Sequence, residues 1–179
     1  MKRLTLLLLV GIALSCNNNG TASKDAIKDS AATTPASSTA KDYPYTIEHP
    51  DNWEIGSTAN TMTALKGLKA YEEGNIDEMI KYFGDSIRVQ FDGMDKKMSN
   101  DNLKVMLTNA WSRYKTVHFK MNDWESVVSK DKSEEWVTLW YRHSWETKNG
   151  VKDSLDVITD LKLKDGKIIR LADYSRQLY

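Results

Sequence analysis

Cysteine is nearly absent: Cys16 is the only one in 179 residues. A lone thiol excludes an intrachain disulfide framework and a thiolate zinc site, since both need paired cysteines. Histidine is scarce too. His49, His118 and His143 are the full set, and no His-Glu-x-x-His spacing places two imidazoles on one helix face. Net charge is missing, because Lys plus Arg and Asp plus Glu both number 25. Nucleic acid is therefore not an expected partner, as binding it takes a cationic face that neutralises phosphates. The sequence also lacks a Gly-x-Ser-x-Gly nucleophile elbow and a Gly-rich phosphate loop. These absences predict no metal and no cofactor.

The strongest local signal lies at the N-terminus. Lys2 and Arg3 form a short positive segment, and Leu4 to Leu14 form an apolar one. That run falls short of the roughly 20 residues a membrane-spanning helix needs. Ala13-Leu14-Ser15-Cys16 then resembles the lipobox of bacterial lipoproteins, with small residues before the cut and a thiol to accept the diacylglyceryl group. The expectation is a signal peptide over residues 1–15 and a Cys16 carrying diacylglycerol and a further acyl chain such as palmitate. Such a protein is anchored to an envelope membrane without crossing it. Residues 16–42 follow as lipidated cysteine and tether. They are rich in Ser, Thr, Ala, Asn and Asp and hold no aromatic residue, a composition that cannot offset its ordering entropy.

All six tryptophans and eight tyrosines lie beyond residue 42, enough apolar payload for one core without disulfides. Residues 43–57 read as an extended strap, with Tyr43, Tyr45, Ile47 and Trp53 positioned to pack on the domain. A helix is predicted over 58–73, carrying Ala64, Leu65, Leu68 and Tyr71 on one face and stopped by Gly74. Asn75 caps a second, short helix with Glu78 as its box partner, and Ile76, Met79, Ile80 and Phe83 form its stripe. Ser86 to Asp92 alternates as a strand, and a turn at Asp92-Gly93 leads to a short strand at 96–98. Ser99 caps a third helix whose apolar face runs Leu103, Met106, Leu107, Ala110, Trp111 and Tyr114. From Val117 the period is two, giving strands at 117–129, 134–147, 153–163 and 167–175. Asn149-Gly150 and Asp165-Gly166 mark tight hairpins whose central residues take positive φ. The fold class is α+β: a curved, mostly antiparallel sheet around helices, in the order α-α-β-β-α-β-β-β-β.

The stretches YEEGNIDEMIKYFGDSIRVQFDG and DGKIIRLADYSRQL carry a resemblance to the nuclear transport factor 2-like superfamily, the SnoaL-like and ketosteroid-isomerase-like cone folds, over residues 58–179. The resemblance implies a sheet wrapped around the long helix, a central pocket and often a dimer through the sheet's outer face. It carries no catalytic residue onto this chain, and its members include both enzymes and binding modules.

A hairpin centred on Asn149-Gly150 puts Val137, Leu139, Tyr141, His143 and Trp145 on one face with Leu155, Val157, Leu161 and Leu163, the more apolar and hence inward face. Trp136, Trp140 and Arg142 point outward and are the candidate homodimer interface. Tyr71, Tyr82, Phe91, Trp111, Tyr141, His143 and Trp145 are the candidate pocket residues. His143, the inward histidine, is the candidate acid or base, with Asp92 and Asp173 as carboxylate partners and Tyr141 or Tyr82 to polarise a carbonyl. The first reading is a non-enzymatic envelope module that binds a small apolar ligand or a protein. The second is a small acid-base lyase or isomerase using His143. A third is sugar stacking on Trp136, Trp140, Tyr141 and Trp145.

Overall fold

In a computed structural model, which describes residues 43–47 and 52–178, Ser57 opens the first helix, α1 (Thr58–Glu72). Its Oγ accepts the Ala59 N–H at 3.1 Å, satisfying one of the donors left free in a helix's first turn. The architecture described here is that of the unit Thr46–Tyr179. The signal segment, Cys16, the tether to residue 42 and His49 lie outside the described residues.

Helix α1 ends where Gly74 takes φ +72°, and α2 (Ile76–Ile80) begins at once, with Asn75 Oδ1 accepting the Glu78 N–H at 3.1 Å. Only half of the expected capping box forms, because the Glu78 carboxylate turns instead to Lys81 and Tyr82. Strands β2 (Phe83–Phe91) and β3 (Met94–Ser99) make a hairpin, and Ser99 caps α3 (Asn100–Trp111). The third helix stops at Trp111, so Tyr114 begins a strand and does not extend the helical face. The reason is period: from Tyr114 onward the sequence favours strand pairing over another turn.

Strands β4 (Tyr114–Ser129), β5 (Glu135–Thr147), β6 (Lys152–Lys164) and β7 (Lys167–Gln177) form the expected meander. The strap contributes a strand that was not expected, β1 (Trp53–Ile55), paired antiparallel to the end of β4. The sheet order is β1-β4-β5-β6-β7-β2-β3, with β2 parallel to β7 and every other pair antiparallel. Ile47 and Trp53 are exposed and so do not pack as the strap reading expected.

The β6–β7 turn has positive φ at both Asp165 and Gly166, as its dipeptide predicts. The β5–β6 turn differs, for only Gly150 is left-handed. Gly150 N–H donates to Thr147 O (2.9 Å) and Thr147 N–H to Val151 O (2.8 Å), so the loop is Lys148-Asn149-Gly150, a tight turn followed by a left-handed glycine. That odd loop length is what pairs Glu146 with Lys152 and sets odd residues opposite odd ones along both strands. A two-residue loop on Asn149-Gly150 would set odd against even and bring Leu139 and Tyr141 opposite outward side chains, so the inward face expected from the sequence holds only because the loop has three residues.

The core lies between the inner face of the sheet and the three helices. Ile87, Val89, Leu103, Val137, Leu139 and Ile168 are its most fully buried apolar side chains. On α1 the deepest apolar line is Ala64, Gly67 and Ala70, so the helix sits close to its neighbours on small residues. Leu65, Leu68 and Tyr71, expected as its apolar face, are only partly buried. The space over Leu68 and Tyr71 is a cavity. Among the described residues no helix is long and apolar enough to cross a membrane.

Candidate functional site

The cavity measures about 350 Å³ and opens between α1, α3 and the concave face of the sheet. Leu68 and Tyr71 of α1, Met106 and Leu107 of α3, and Phe91, Phe119, Leu139 and Leu171 of the sheet supply an apolar wall. Four polar side chains interrupt it: Tyr141, His143, Thr159 and Asp173. Register explains three of them. Leu139, Thr159 and Asp173 form one cross-strand row over β5, β6 and β7, and Tyr141 stands two residues along β5 on the same face.

These three are joined. The Tyr141 hydroxyl lies 3.0 Å from Thr159 Oγ1, and Thr159 donates to Asp173 Oδ1 at 2.5 Å. A threonine hydroxyl has one proton, so while Thr159 serves an ionised Asp173 its oxygen must accept from Tyr141. Protonating Asp173 allows the chain to reverse, with the carboxyl donating to Thr159 and Thr159 to Tyr141. Burial pushes the Asp173 carboxyl up to about 6, against the opposing pull of the Thr159 hydrogen bond. Burial likewise raises the Tyr141 and Tyr71 phenols well above their ordinary range, and the nearby Asp173 carboxylate raises both further. Both tyrosines are therefore neutral hydrogen-bonding groups at any physiological pH.

His143 sits apart from that chain. Its ring lies among Phe119 (4.9 Å between centroids), Trp145 (4.9 Å) and Tyr114 (6.2 Å). Burial pushes the imidazole down to about 4, so it is neutral at pH 7. Its Nε2 is buried and has no hydrogen-bond partner among the described residues. A buried imidazole nitrogen without a partner costs the fold free energy.

The structure thus gathers Tyr71, Phe91, Tyr141, His143 and Asp173 around one cavity. It leaves out Asp92, which is exposed in the β2–β3 turn, where a Gly-containing hairpin needs a solvated residue. Tyr82 is also outside the lining, its hydroxyl donating to Glu78 Oε1 at 3.0 Å. Trp111 is a brace: its Nε1 donates to Tyr71 O at 2.8 Å, and its ring closes over Gly74. Trp145 backs His143 and faces a separate surface groove with His118 and Lys152. Thr159 and Phe119 were not anticipated. Thr159 was visible in principle as the one polar residue in the inward series Leu155, Val157, Thr159, Leu161, Leu163. Phe119 faces inward because β4 shifts register between Met121 and Asp123.

On the outer face Trp136 is half-buried, with Lys162 Nζ and Arg170 Cζ each 5.4 Å from its ring. Trp140 is half-buried in a cross-strand row with Ile158 and Tyr174, and these last two are exposed. Arg142 and Arg176 both bond Asp156 at 2.9 Å. Among the described residues no group of three or more His, Cys, Asp or Glu side chains is placed to hold a metal ion.

A mixed seven-stranded sheet curved around three helices over a cavity defines the architecture. The fold is nuclear transport factor 2-like. An NTF2-like protein of unknown function from an Exiguobacterium species matches at TM-score 0.53 and 18% identity, covering 65% of this chain and 99% of that one. An LEH-like epoxide hydrolase from M. tuberculosis matches at TM-score 0.55 and 15% identity, covering 67% and 84%. A protein from Novosphingobium aromaticivorans described as an uncharacterized cystatin fold protein matches at TM-score 0.54 and 18% identity, covering 66% and 99%. At these identities the likeness concerns the nuclear transport factor 2-like fold alone. No protein-family model matches the chain, and no curated protein matches it in sequence.

Proposed function

We propose that this protein is a lipid-anchored module of the bacterial envelope that binds one small, mostly apolar molecule with a polar end. The observation carrying this reading is the cavity itself: apolar walls around a few convergent polar groups, at the lower end of the 300–1,000 Å³ typical of ligand sites. The free side of the Asp173 carboxyl is the polar group left for a ligand's polar end, with the His143 ring in the same lining. The outer row of Trp140, Ile158 and Tyr174 supports pairing of two copies through the sheet, as part of the same proposal.

Native mass spectrometry of the mature chain from its original host tests the binding reading. The expected result is a defined small mass that leaves on denaturation and is not retained by an Asp173→Leu variant. A wild-type chain that is always empty, and that gains no thermal stability from extracts of its host's lipids and metabolites, refutes it.

A second reading, proton transfer to or from a bound carbonyl compound, is favoured by one specific observation. The Asp173 carboxyl shares a hydrogen-bonded chain with Tyr141 through Thr159, and burial pushes it up to about 6, toward the value that suits a general base at neutral pH. His143, pushed down to about 4 by burial, is the weaker base of the two and has no hydrogen-bonded partner to orient it among the described residues. Turnover abolished in Asp173→Asn but retained in His143→Phe would mark this reading as the correct one.

A further inference from the structure

We propose that the β1 edge of the domain contacts the surface of the lipid bilayer through Trp53, Ile55 and Trp124. The proposal rests on the lipid-anchor reading for its geometry, because an acylated Cys16 reaches the domain only through the segment that enters at β1. Such an anchor therefore arrives at the domain on this edge.

Three large apolar side chains stand at this one edge. Ile55 is 94% exposed, Trp124 50% and Trp53 41%. Pairing places them on both sides of the sheet. Trp53 and Ile55 lie opposite Ser129 and Val127, on the outer face with Trp136. Trp124 lies opposite Leu139, on the inner face. Together with Gly56 and Thr58 they border a shallow cleft around the β1 edge. A water-facing edge strand normally carries charge or proline where this one carries Trp53 and Ile55. Surface tryptophans beside aliphatic side chains suit the headgroup region of a bilayer, where an aromatic ring is apolar on its faces and polar at its N–H.

The backbone fixes the display. Gly56 N–H donates to Ser126 O at 2.7 Å, and a Cβ at Gly56 would stand 2.3 Å from Ser126 Oγ, so the link from β1 to α1 lies flat on β4. Ile55 is thereby held outward with almost no packing among the described residues. Depth is limited, because the open edge of β1 presents backbone groups that hydrocarbon cannot satisfy. Charge does not drive the contact. Glu54 and Glu125 border the cleft, and Glu54 is already paired with Lys132. The contact is therefore apolar, shallow and indifferent to anionic lipid.

The mature full-length chain, incubated with phosphatidylcholine vesicles brominated high on the acyl chains, gives the test. Tryptophan fluorescence should be quenched in the wild type, and most of that quenching should vanish in the Trp53→Phe, Trp124→Phe double variant. Ile55→Glu changes a side chain with almost no packing, so it leaves the fold intact; it should lower the equilibrium constant for vesicle contact, read from quenching against lipid concentration, by about tenfold or more, the effect of withholding one isoleucine from an apolar phase. Intact mass of the same sample reports the Cys16 lipid separately. Lipid on Cys16 with no Trp53- and Trp124-dependent quenching overturns the contact and leaves the anchor standing. Quenching without the lipid mass supports the contact and removes the anchor. A cross-link between two copies through position 55, unchanged by vesicles, makes a second copy the occupant and overturns the proposal.

Discussion

At neutral pH the ionised form of Asp173 is stored in an unfavourable place. Unfolded, its carboxyl titrates near 3.8; folded, burial pushes it up to about 6. Below the unfolded value the group is protonated in both states and contributes nothing to the pH dependence. As pH rises through the window the unfolded chain loses its proton first, so stability falls until the folded carboxyl has ionised as well. Each pKa unit corresponds to about 1.4 kcal/mol, which makes the loss about 3 kcal/mol, complete by roughly pH 7. Asp173→Asn keeps an oxygen for the Thr159 hydroxyl and cannot titrate. Urea unfolding of both proteins from pH 3.5 to 7.5 isolates the effect, since other carboxylates contribute equally to each. Asp131, for example, is held down to about 2 by Ser129 and Ser133 and gains stability with pH in both proteins. The variant should gain on the wild type by about 3 kcal/mol across the window, on the order of 10 °C in melting temperature at neutral pH. A difference curve that stays flat would refute the reasoning and make Asp173 an ordinary solvated carboxylate.

Three further outcomes follow from the same geometry. Gly74→Ala puts a Cβ 2.7 Å from Trp111 Cζ2 at a residue with φ +72°, so it should cost about 2–4 kcal/mol in thermal or urea unfolding, well above the roughly 1–2 kcal/mol of the backbone strain alone. His143→Phe keeps ring packing against Phe119 and Trp145 while deleting the unpartnered Nε2. Wild-type stability from a histidine held near 4 is lost as pH falls below 6.5, so the variant's advantage should grow from pH 7 to pH 4.5. Glu72 is opposed by burial, yet Lys69, the Phe119 N–H and His118 hold its carboxyl below the usual range; Glu72→Gln should lower hydrogen-exchange protection of the Phe119 amide about tenfold.

Local rules made most of the elements legible. Ser57, Asn75 and Ser99 each cap the helix that follows them, and Gly74 stops α1 because only a left-handed residue fits there. Asp165-Gly166 turned as its dipeptide dictates. The failures share a cause: they depend on what lies across the chain. Strand β1 exists only because β4 offers Val127 and Ser129 as partners, and three residues have no period of their own. Trp111 and Tyr82 were aromatic and near the right place, but each found a nearer hydrogen bond, to Tyr71 O and to Glu78. His143 was legible as inward and Asp173 as worth inspection. Their separation into a lone imidazole and a Tyr141–Thr159–Asp173 chain comes from cross-strand register, which alternation alone does not contain.

The place of β7 in the sheet governs how this chain can be made. The last strand in sequence is an interior one, inserted between β6 and β2, and it brings Leu171 to the core and Asp173 to the cavity. A nascent chain that has emerged only through Lys164 holds two incomplete sheet fragments, β1-β4-β5-β6 and β2-β3, with open edges facing each other and nothing to join them. Completion is postponed until the final eleven residues of β7 arrive. Stopping synthesis short of β7 should therefore leave an adhesive intermediate with unpaired strand edges.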